Sequence, residues 1–371
     1  MKTQLYMKLF RFGNHERNVI FLENGGGEEY NDGSRQLLID MKCKIDRYDI
    51  QMWERSKKSN NEYEYIYTSS RNNKNICNVT PVSRSYFKLY EMIKDFNLLE
   101  KDILCASLAE GPGGFMHCLN DFSDKGEYSL TKCYGITLIS EDRRVPYWNP
   151  IITKHPINEV ISGVNKDGDL YNIENVMFFI NKVGENTCHL ITADGGFDYS
   201  DDYNSQENSS YRLLYSEVFI ALHNQKEGGH FVLKVFDLFS YKTIQLLYLL
   251  YCHYEKVELY KPSTSRLSNS EKYTVCSGFR GCRAEVKEQL RKIFTTCEDM
   301  VLDIPEGFIK EIQDYNKAFT ELQVNKIKEI LQSIHKPNNN YPSKEQITNA
   351  KRWCELYGLP INNRCVYLQK E

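Results

Sequence analysis

Short, almost wholly apolar segments alternate with amphipathic ones between residues 83 and 281, and this alternation restricts the fold more than any other feature of the chain. The apolar segments predict strands in DILCASLA, CYGITLI, CHLITADGGF, GGHFVLKVFDLF, KVELYKP and EKYTVCSGF. Helical spacing predicts helices in SRSYFKLYEMIKDFNLL, GGFMHCLNDF, SEVFIALHNQ and TIQLLYLLYCHY. Strands that are apolar on both faces and alternate with helices are typical of a mainly parallel sheet covered on both sides. The predicted fold class is therefore α/β.

The two ends of the chain have a different character from this middle segment. Residues 1–80 are polar, with weak apolar periodicity and the stretch NGGGEEYNDGS, and we interpret them as an N-terminal extension. Residues 81–281 are predicted to form the α/β domain. Residues 282–371 contain CRAEVKEQLRKIF and ITNAKRWCELYGLP, which predict a small, helical C-terminal region.

Composition excludes several classes of protein. The net charge is −3, so a polyanion would have to bind a local basic patch rather than a globally basic surface. The twelve cysteines include no C-x-x-C pair, which favours reduced intracellular thiols over a disulfide framework or a zinc site. No apolar run reaches 18 residues, so we expect no membrane span.

A glycine-rich turn, SLAEGPGGF at 107–115, directly follows the first predicted strand. Ligands of such sheets bind at the carboxyl ends of the strands, where glycine lets a ligand approach the backbone and the next helix offers free amides. The turn matches neither G-x-G-x-x-G nor the phosphate loop, so neither NAD nor ATP is favoured. A ligand with a charged amino-acid part and no pyrophosphate, such as S-adenosylmethionine, suits it, with Glu110 facing its positive groups. A tight turn without a ligand is the alternative.

Four charged residues lie near the predicted ends of strands or in the helix before the first strand: Lys88, Asp194, Lys234 and Glu271. Charges at strand ends are usually solvated, which is the plain alternative for Asp194. Lys234 lies within FVLKVF, however, where an unpaired ammonium would be costly. The sheet topology could bring the four side chains to one edge.

Two lysines and two carboxylates suit the deprotonation of a weakly acidic hydroxyl. A lysine of pKa ~10.4 is a poor base at neutral pH, and lowering its pKa to ~7–8 corresponds to about 4 kcal/mol. Burial, a second ammonium and a nearby sulfonium lower a lysine pKa, whereas carboxylates raise it. We therefore expect bound S-adenosylmethionine to help make Lys234 a general base.

The motifs SRSYFKLYE, LAEGPGGF, YGITL, DGDLYNIENV, TADGGF, GGHFVLKVFDLF and YLLYCHYEKVELYKPSTSRLSNSEKYTVCSGF, taken in this order, resemble the FtsJ/RrmJ-like ribose 2′-O-methyltransferases. The likeness extends in particular to the eukaryotic and viral enzymes that methylate the first transcribed nucleotide of capped mRNA, and it covers residues 83–281, roughly half the chain. It implies a Rossmann-like S-adenosylmethionine-dependent fold with a mainly parallel, seven-stranded sheet.

The resemblance also implies roles for individual residues. It implies a catalytic Lys-Asp-Lys-Glu tetrad, in which Lys234 is the base. It implies S-adenosylmethionine bound by Glu110, Gly111, Pro112, Gly113, Gly114, Phe115, Asp169, Leu170 and Asp194. On spacing alone Asp169 would be a solvated turn aspartate. The implied RNA contacts are Lys57, Ser83, Arg84, Asn204 and Asn269, and no metal is implied.

Capped mRNA is the implied partner, together with other capping enzymes or RNA polymerase, whereas DNA and membranes are not expected. We expect the protein in the nucleus or cytoplasm, or in a viral factory or virion if it is viral. A methylated cap guanine is flat and cationic and therefore suits aromatic stacking. Trp53, Tyr147 and Trp148 are candidates for that stacking, although ordinary core or surface packing is the better explanation of each.

Two alternatives remain at this point. One is a ribose methyltransferase that acts on the second cap nucleotide or on ribosomal or transfer RNA. The other is a non-catalytic RNA-binding subunit of a capping complex. An intact tetrad argues against the latter, because a silent relative need not keep all four charges.

Overall fold

One mixed sheet organises the fold of the computed structural model, which describes residues 8–22, 33–126, 128–196, 206–336 and 341–369. Eight strands pair in the order β1-β7-β8-β6-β5-β2-β3-β4 within these ranges. Their bounds are β1 Leu9–Arg11, β2 Ile103–Leu108, β3 Leu130–Ile136, β4 Asn158–Val160, β5 Cys188–Ala193, β6 Gln225–Val235, β7 Tyr254–Tyr260 and β8 Lys272–Phe279.

The α/β class is confirmed, with two differences in detail. Strands β6, β5, β2, β3 and β4 pair in parallel, as expected. Strand β8 is antiparallel to both β6 and β7, and β1 adds an eighth strand antiparallel to β7. The additional strand comes from the N-terminal extension, whose three-residue pairing is too short to produce a recognisable alternation in the sequence.

Helices cover both faces of the sheet and extend to the ends of the chain. Their bounds are α1 Gly33–Lys42, α2 Ile50–Ser59, α3 Ser85–Phe96, α4 Gly114–Asp124, α5 Pro150–Thr153, α6 Ile173–Val183, α7 Gln206–Asn224, α8 Tyr241–His253, α9 Ala284–Thr296, α10 Glu306–Ser333 and α11 Lys344–Leu356. None of the helices in the described ranges combines the length and the apolar character that crossing a bilayer requires.

The register of the parallel strands places the candidate site. Leu108 of β2 pairs with Ala193 of β5, and Ala193 pairs with Leu233 of β6. All three side chains are buried, as are their neighbours Ser107, Thr192 and Val232, which point to the opposite face of the sheet. The glycine turn, Asp194 and Lys234 follow these residues directly, so they meet at one edge of the sheet.

The N-terminal extension is more ordered than its weak periodicity predicts. Helices α1 and α2 pack on α10 through a separate apolar cluster that includes Leu38, Trp53 and Ile327. At the other end of the chain, Trp353 of α11 packs on Phe87 of α3. The terminal segments therefore contact the central domain, while the domain boundaries themselves stay a prediction.

Candidate active site

The four charged residues singled out in the sequence lie together at the carboxyl edge of the parallel strands. The Nζ atom of Lys88, from α3, lies 2.7 Å from Oε1 of Glu271, just before β8. The Nζ atom of Lys234, from β6, lies 3.2 Å from Oδ1 of Asp194 and donates to the Asp194 carbonyl oxygen at 2.8 Å. Two lysine–carboxylate pairs thus share one partly buried neighbourhood.

The charges of this cluster control one another's protonation. Burial alone would raise the pKa of the Glu271 carboxyl, but Lys88, Lys234 and Lys261 outweigh it and hold that pKa below its ordinary value. Burial alone would lower the pKa of Lys234, but Asp194 and Glu271 outweigh it, so this pKa lies above its ordinary value. Without a further cation nearby, Lys234 is therefore an ammonium ion at neutral pH.

Tyr273 orients this cluster and was not singled out in the sequence. Its hydroxyl donates to Oδ1 of Asp194 at 2.7 Å, the same oxygen that Lys234 contacts. The side chain is fully buried, and its ring lies 6.0 Å from that of Phe115. A tyrosine inside an apolar strand is typical of core packing. Only the pairing of β8 with β6 therefore reveals the contact of Tyr273 with Asp194.

A cavity of about 880 Å³ opens beside Lys234 and Asp194. Gly111, Pro112, Asp169 and Leu170 line it, as do both members of that lysine–carboxylate pair. Thr137, at the end of β3, also lines the wall and accepts the Gly111 amide at 3.0 Å through its hydroxyl. The glycine turn and the loop before α6 therefore face the same space as the reactive charges.

The glycines of the turn are required by the protein's own packing. A Cβ on Gly111 would lie 2.5 Å from the Pro146 carbonyl oxygen, and one on Gly114 would collide with Ser83 and Ser85. Gly113 has φ +106°, and a Cβ there would collide with Ile152. Of the five residues from Gly111 to Phe115, Gly111 and Pro112 reach the cavity wall, while the Phe115 side chain is buried in the core.

Glu110 turns its carboxylate away from the cavity, in contrast to the expectation that it would face the ligand. Its Oε1 accepts the Phe115 amide at 2.6 Å, and its Oε2 accepts the Met116 amide at 3.2 Å. The first turn of α4 has free amides, and a buried acceptor satisfies two of them. Burial raises the pKa of Glu110 to about 8.

We expect Glu110→Ala to destabilise the protein by about 1–3 kcal/mol, because it leaves buried amides of α4 without an acceptor. The free energy of unfolding in denaturant measures this effect. Glu141→Ala, at an exposed position, is the matched control and should leave stability unchanged. Equal stability of the two variants would contradict the capping role.

Asp169 combines the two interpretations that the sequence left open. Its Oδ1 accepts the Tyr171 amide at 2.8 Å, as a turn aspartate does. The residue nevertheless lines the large cavity together with Leu170. Gly168, in the left-handed region at φ +65°, lets this loop pack against the backbone of Thr137.

A second cavity, of about 240 Å³, adjoins the large one at Lys234 and Gly196, which line both spaces. Glu271 lines it, as do Lys57 and Asn269, two of the residues predicted to contact RNA. Burial lowers the pKa of Lys57, although its contact with Glu54 opposes this. Lys234 therefore faces both a large space beside the glycine turn and a smaller one lined by paired charges.

The other residues predicted to contact RNA lie elsewhere. Ser83 and Arg84 line the large cavity, and the Arg84 guanidinium donates to Glu64 and to the Tyr67 carbonyl. Asn204 lies outside the described residues. Among the candidate stacking aromatics, Trp53 lines the second cavity but is buried, and Tyr147 is exposed.

Several residues that line the second cavity come from the terminal segments and were not predicted as a group. Lys42 ends α1, and Gln323 lies in α10. Gln323 is a polar residue on the buried face that also carries Phe319, Val324 and Ile327. A polar residue on the apolar face of a helix is a usable sequence signal, but it does not identify what the residue faces.

Comparisons with known proteins show the family of this chain. The model of the FtsJ-like methyltransferase family matches residues 81–279. A mouse protein named cap-specific mRNA (nucleoside-2′-O-)-methyltransferase 1 is 32% identical over 307 residues, which are 73% of this chain and 34% of the mouse protein. A protein of the Autographa californica nuclear polyhedrosis virus, named cap-specific mRNA (nucleoside-2′-O-)-methyltransferase, is 36% identical over 193 residues, which cover 52% of this chain and 71% of the viral one.

A solved structure from Plasmodium falciparum, described as a ribosomal RNA methyltransferase, is also similar, with TM-score 0.39 and 20% identity. It covers 54% of this chain and 99% of that one. The present chain spans about one third of the length of the mouse relative. The family match, by contrast, covers more than half of the present chain and includes Lys88, Asp194, Lys234 and Glu271. The chain belongs to the FtsJ-like methyltransferase family.

Proposed function

We propose that this protein uses S-adenosylmethionine to methylate the ribose 2′-hydroxyl of the first transcribed nucleotide of capped mRNA, which converts cap-0 into cap-1. One observation carries the proposal: Lys234 lines both a large cavity beside the glycine turn and a smaller cavity beside Lys57 and Asn269. A base between a donor space and an acceptor space is what a direct transfer between two bound molecules requires. The names of the mouse and viral relatives support the choice of capped mRNA.

The residues of the large cavity fit S-adenosylmethionine. Gly111 and Pro112 offer a wall without long side chains, and Asp169 and Leu170 offer a carboxylate beside an apolar surface. Asp194 adds a negative charge near Lys234, which suits a cationic ligand. When bound, S-adenosylmethionine supplies a methyl group activated by a sulfonium.

In the proposed reaction Lys234 Nζ accepts the proton of the ribose 2′-hydroxyl, whose oxygen becomes the nucleophile. Asp194 orients Lys234, and Tyr273 in turn holds the Asp194 carboxylate. Lys88, held by Glu271, places a second positive charge beside the deprotonated oxygen and the adjoining phosphates. General-base catalysis contributes about 10²–10⁴-fold, and positioning of the reactants supplies most of the rest.

The proposed target also determines which nucleic acid is a substrate. DNA lacks the 2′-hydroxyl, so it cannot be methylated at this position. Lys57 lines the second cavity beside Asn269 and, although it pairs with Glu54, still offers an ammonium group to an RNA phosphate. Capping enzymes or RNA polymerase as partners, and a nuclear or cytoplasmic location, remain proposals that follow from this substrate.

A methyl-transfer assay on capped, uncapped and structured RNA tests the proposal. We expect transfer to capped RNA only. Transfer to uncapped structured RNA alone would instead favour a ribosomal or transfer RNA substrate. Binding of RNA without transfer to any of the three would favour a non-catalytic capping subunit and would overturn the proposed activity.

We expect the pKa of Lys234 to fall when S-adenosylmethionine binds, because a second positive charge nearby disfavours the ammonium form. Without the donor this pKa lies above its ordinary value. The rate should therefore rise with pH until the lowered pKa is passed, since only the neutral amine accepts a proton.

NMR titration of the Lys234 side chain, with and without the donor, measures this shift. S-adenosylhomocysteine is the matched control, because it lacks the sulfonium charge and should leave the pKa high. The same lysine pKa with both ligands would contradict the role of the donor in forming the base.

A further inference from the structure

Two buried polar atoms beside the second cavity have no hydrogen-bond partner among the described residues: Gln323 Oε1 and Ser268 Oγ. Both residues line the second cavity together with Lys234 and Glu271. Gln323 is fully buried, and Ser268 is 9% exposed. A buried polar atom without a partner costs free energy, so a ligand that pairs with it is favoured.

The orientation of the Gln323 amide is fixed by its surroundings. Its Nε2 donates to the Ser268 carbonyl oxygen at 3.0 Å and to Ser270 Oγ at 3.3 Å. A backbone carbonyl can only accept, so the nitrogen must face the 268–270 segment. The Oε1 atom is therefore the end of the amide that has no hydrogen-bond partner among the described residues.

The segment that Gln323 contacts is also held from the N-terminal side. Lys42 Nζ lies 3.1 Å from both Asp237 Oδ2 and Ser270 Oγ, and Ser270 Oγ donates to the same Asp237 oxygen at 3.0 Å. Glu271, which pairs with Lys88, follows directly. This wall of the cavity is thus rigidly attached to the tetrad, and Gln323 and Ser268 are held at a defined place beside Lys234.

We propose that Gln323 and Ser268 bind a nucleobase of the RNA substrate next to the reacting ribose, with Gln323 Oε1 accepting from an exocyclic amino group. The inference rests on the proposed function. An amide oxygen pairs well with a base amino group, and the Ser268 hydroxyl can donate to an acceptor on the same edge. Helix α10 lies outside the matched residues 81–279, so it would add specificity to the family's domain.

Ser268 also lines a third cavity, of about 240 Å³, which it shares with Lys57 and Arg266. Leu267, Leu322 and Ile330 give that space an apolar wall. A base that pairs with Gln323 and Ser268 would therefore lie between the tetrad and a space that is both apolar and basic.

The test measures kcat/KM for two pairs of capped RNAs. The members of each pair differ by one amino group, because one carries guanine and the other hypoxanthine. The difference lies at the cap in one pair and at the first transcribed nucleotide in the other. We expect wild-type protein to prefer guanine at one of these positions by about 10-fold. Q323M keeps the side-chain volume but removes the Oε1 acceptor together with the Nε2 donor to the 268–270 segment, so it should methylate both RNAs of that pair equally. A loss of rate that is the same for both RNAs would show only a positioning role and would overturn the proposal.

E321A, at an exposed position of the same helix, is the matched control and should keep the wild-type preference. If Q323M does not fold, S268A tests the proposal instead, because this substitution removes only a hydroxyl without a hydrogen-bond partner. We expect S268A to raise KM by about 5-fold with unchanged melting temperature, and an unchanged KM would overturn the proposal. Absence of 2′-O-methyl transfer by wild-type protein to any capped RNA would instead refute the proposed function itself.

Discussion

Lys234→Ala is expected to lower kcat for methyl transfer by at least about 100-fold, while RNA binding stays within about threefold of wild type. The reason is that Lys234 Nζ is the proposed proton acceptor and lies between the two cavities, held by Asp194. Single-turnover rates and equilibrium RNA binding measure the two effects separately. A rate near that of wild type would show that Lys234 is not the base.

Lys234→Arg distinguishes the role of Lys234 as a proton acceptor from the effect of its positive charge. Arginine keeps a positive charge beside Asp194 but does not lose its proton in proteins, so we expect almost the same loss of rate. Lys226→Ala is the matched control, because Lys226 lies at the exposed opposite end of the same strand and should be replaceable without effect. Substantial activity in the arginine variant would mean that Lys234 contributes charge alone.

Gly113→Val is expected to abolish measurable binding of S-adenosylmethionine. Gly113 has φ +106°, and a side chain there would collide with Ile152. A β-branched residue in the left-handed region costs about 1–3 kcal/mol, and overpacking costs about 1–3 kcal/mol more. The turn that carries Gly111 and Pro112 must then move, although these two residues line the proposed donor cavity. Titration calorimetry measures the affinity.

Gly228→Val is the control for Gly113→Val, because it introduces backbone strain without a steric collision. Gly228 has φ +77°, but a Cβ there would meet no atom within 4 Å. We expect this variant to lose some stability and to keep its affinity for the donor. If Gly113→Val binds the donor as tightly as Gly228→Val does, the turn does not shape the donor cavity.

Hydrophobic pattern predicted the central sheet well, because nearly all of its strands are buried and their apolar runs are unambiguous. It failed at β4, whose three residues are only half-buried, and at β1, where three residues pair with β7 without any alternation. It also underestimated α1 and α2, which have few apolar residues and depend on packing against α10 through Leu38 and Trp53. The apolar partners of these two helices lie more than two hundred residues away, so a local pattern does not reveal them.

Candidate site residues could be recognised where chemistry and apolar context coincide in the sequence. Lys234 stands out because its neighbours are apolar, whereas Tyr273 and Gln323 look like ordinary members of a strand and a helix. Glu110 shows the opposite case, in which the sequence predicts a role that the structure does not show. Its place in the glycine turn predicts a ligand contact, but two free amides of α4 compete for the same carboxylate.

The position of the transferred methyl group on a short capped transcript tests the central claim most directly. The methyl group can be located by nuclease digestion followed by mass spectrometry. We expect it on the ribose 2′-oxygen of the first transcribed nucleotide, and we expect a 2′-deoxy residue at that nucleotide to prevent transfer. A methyl group on a base, or transfer that persists to the deoxy transcript, would contradict the account.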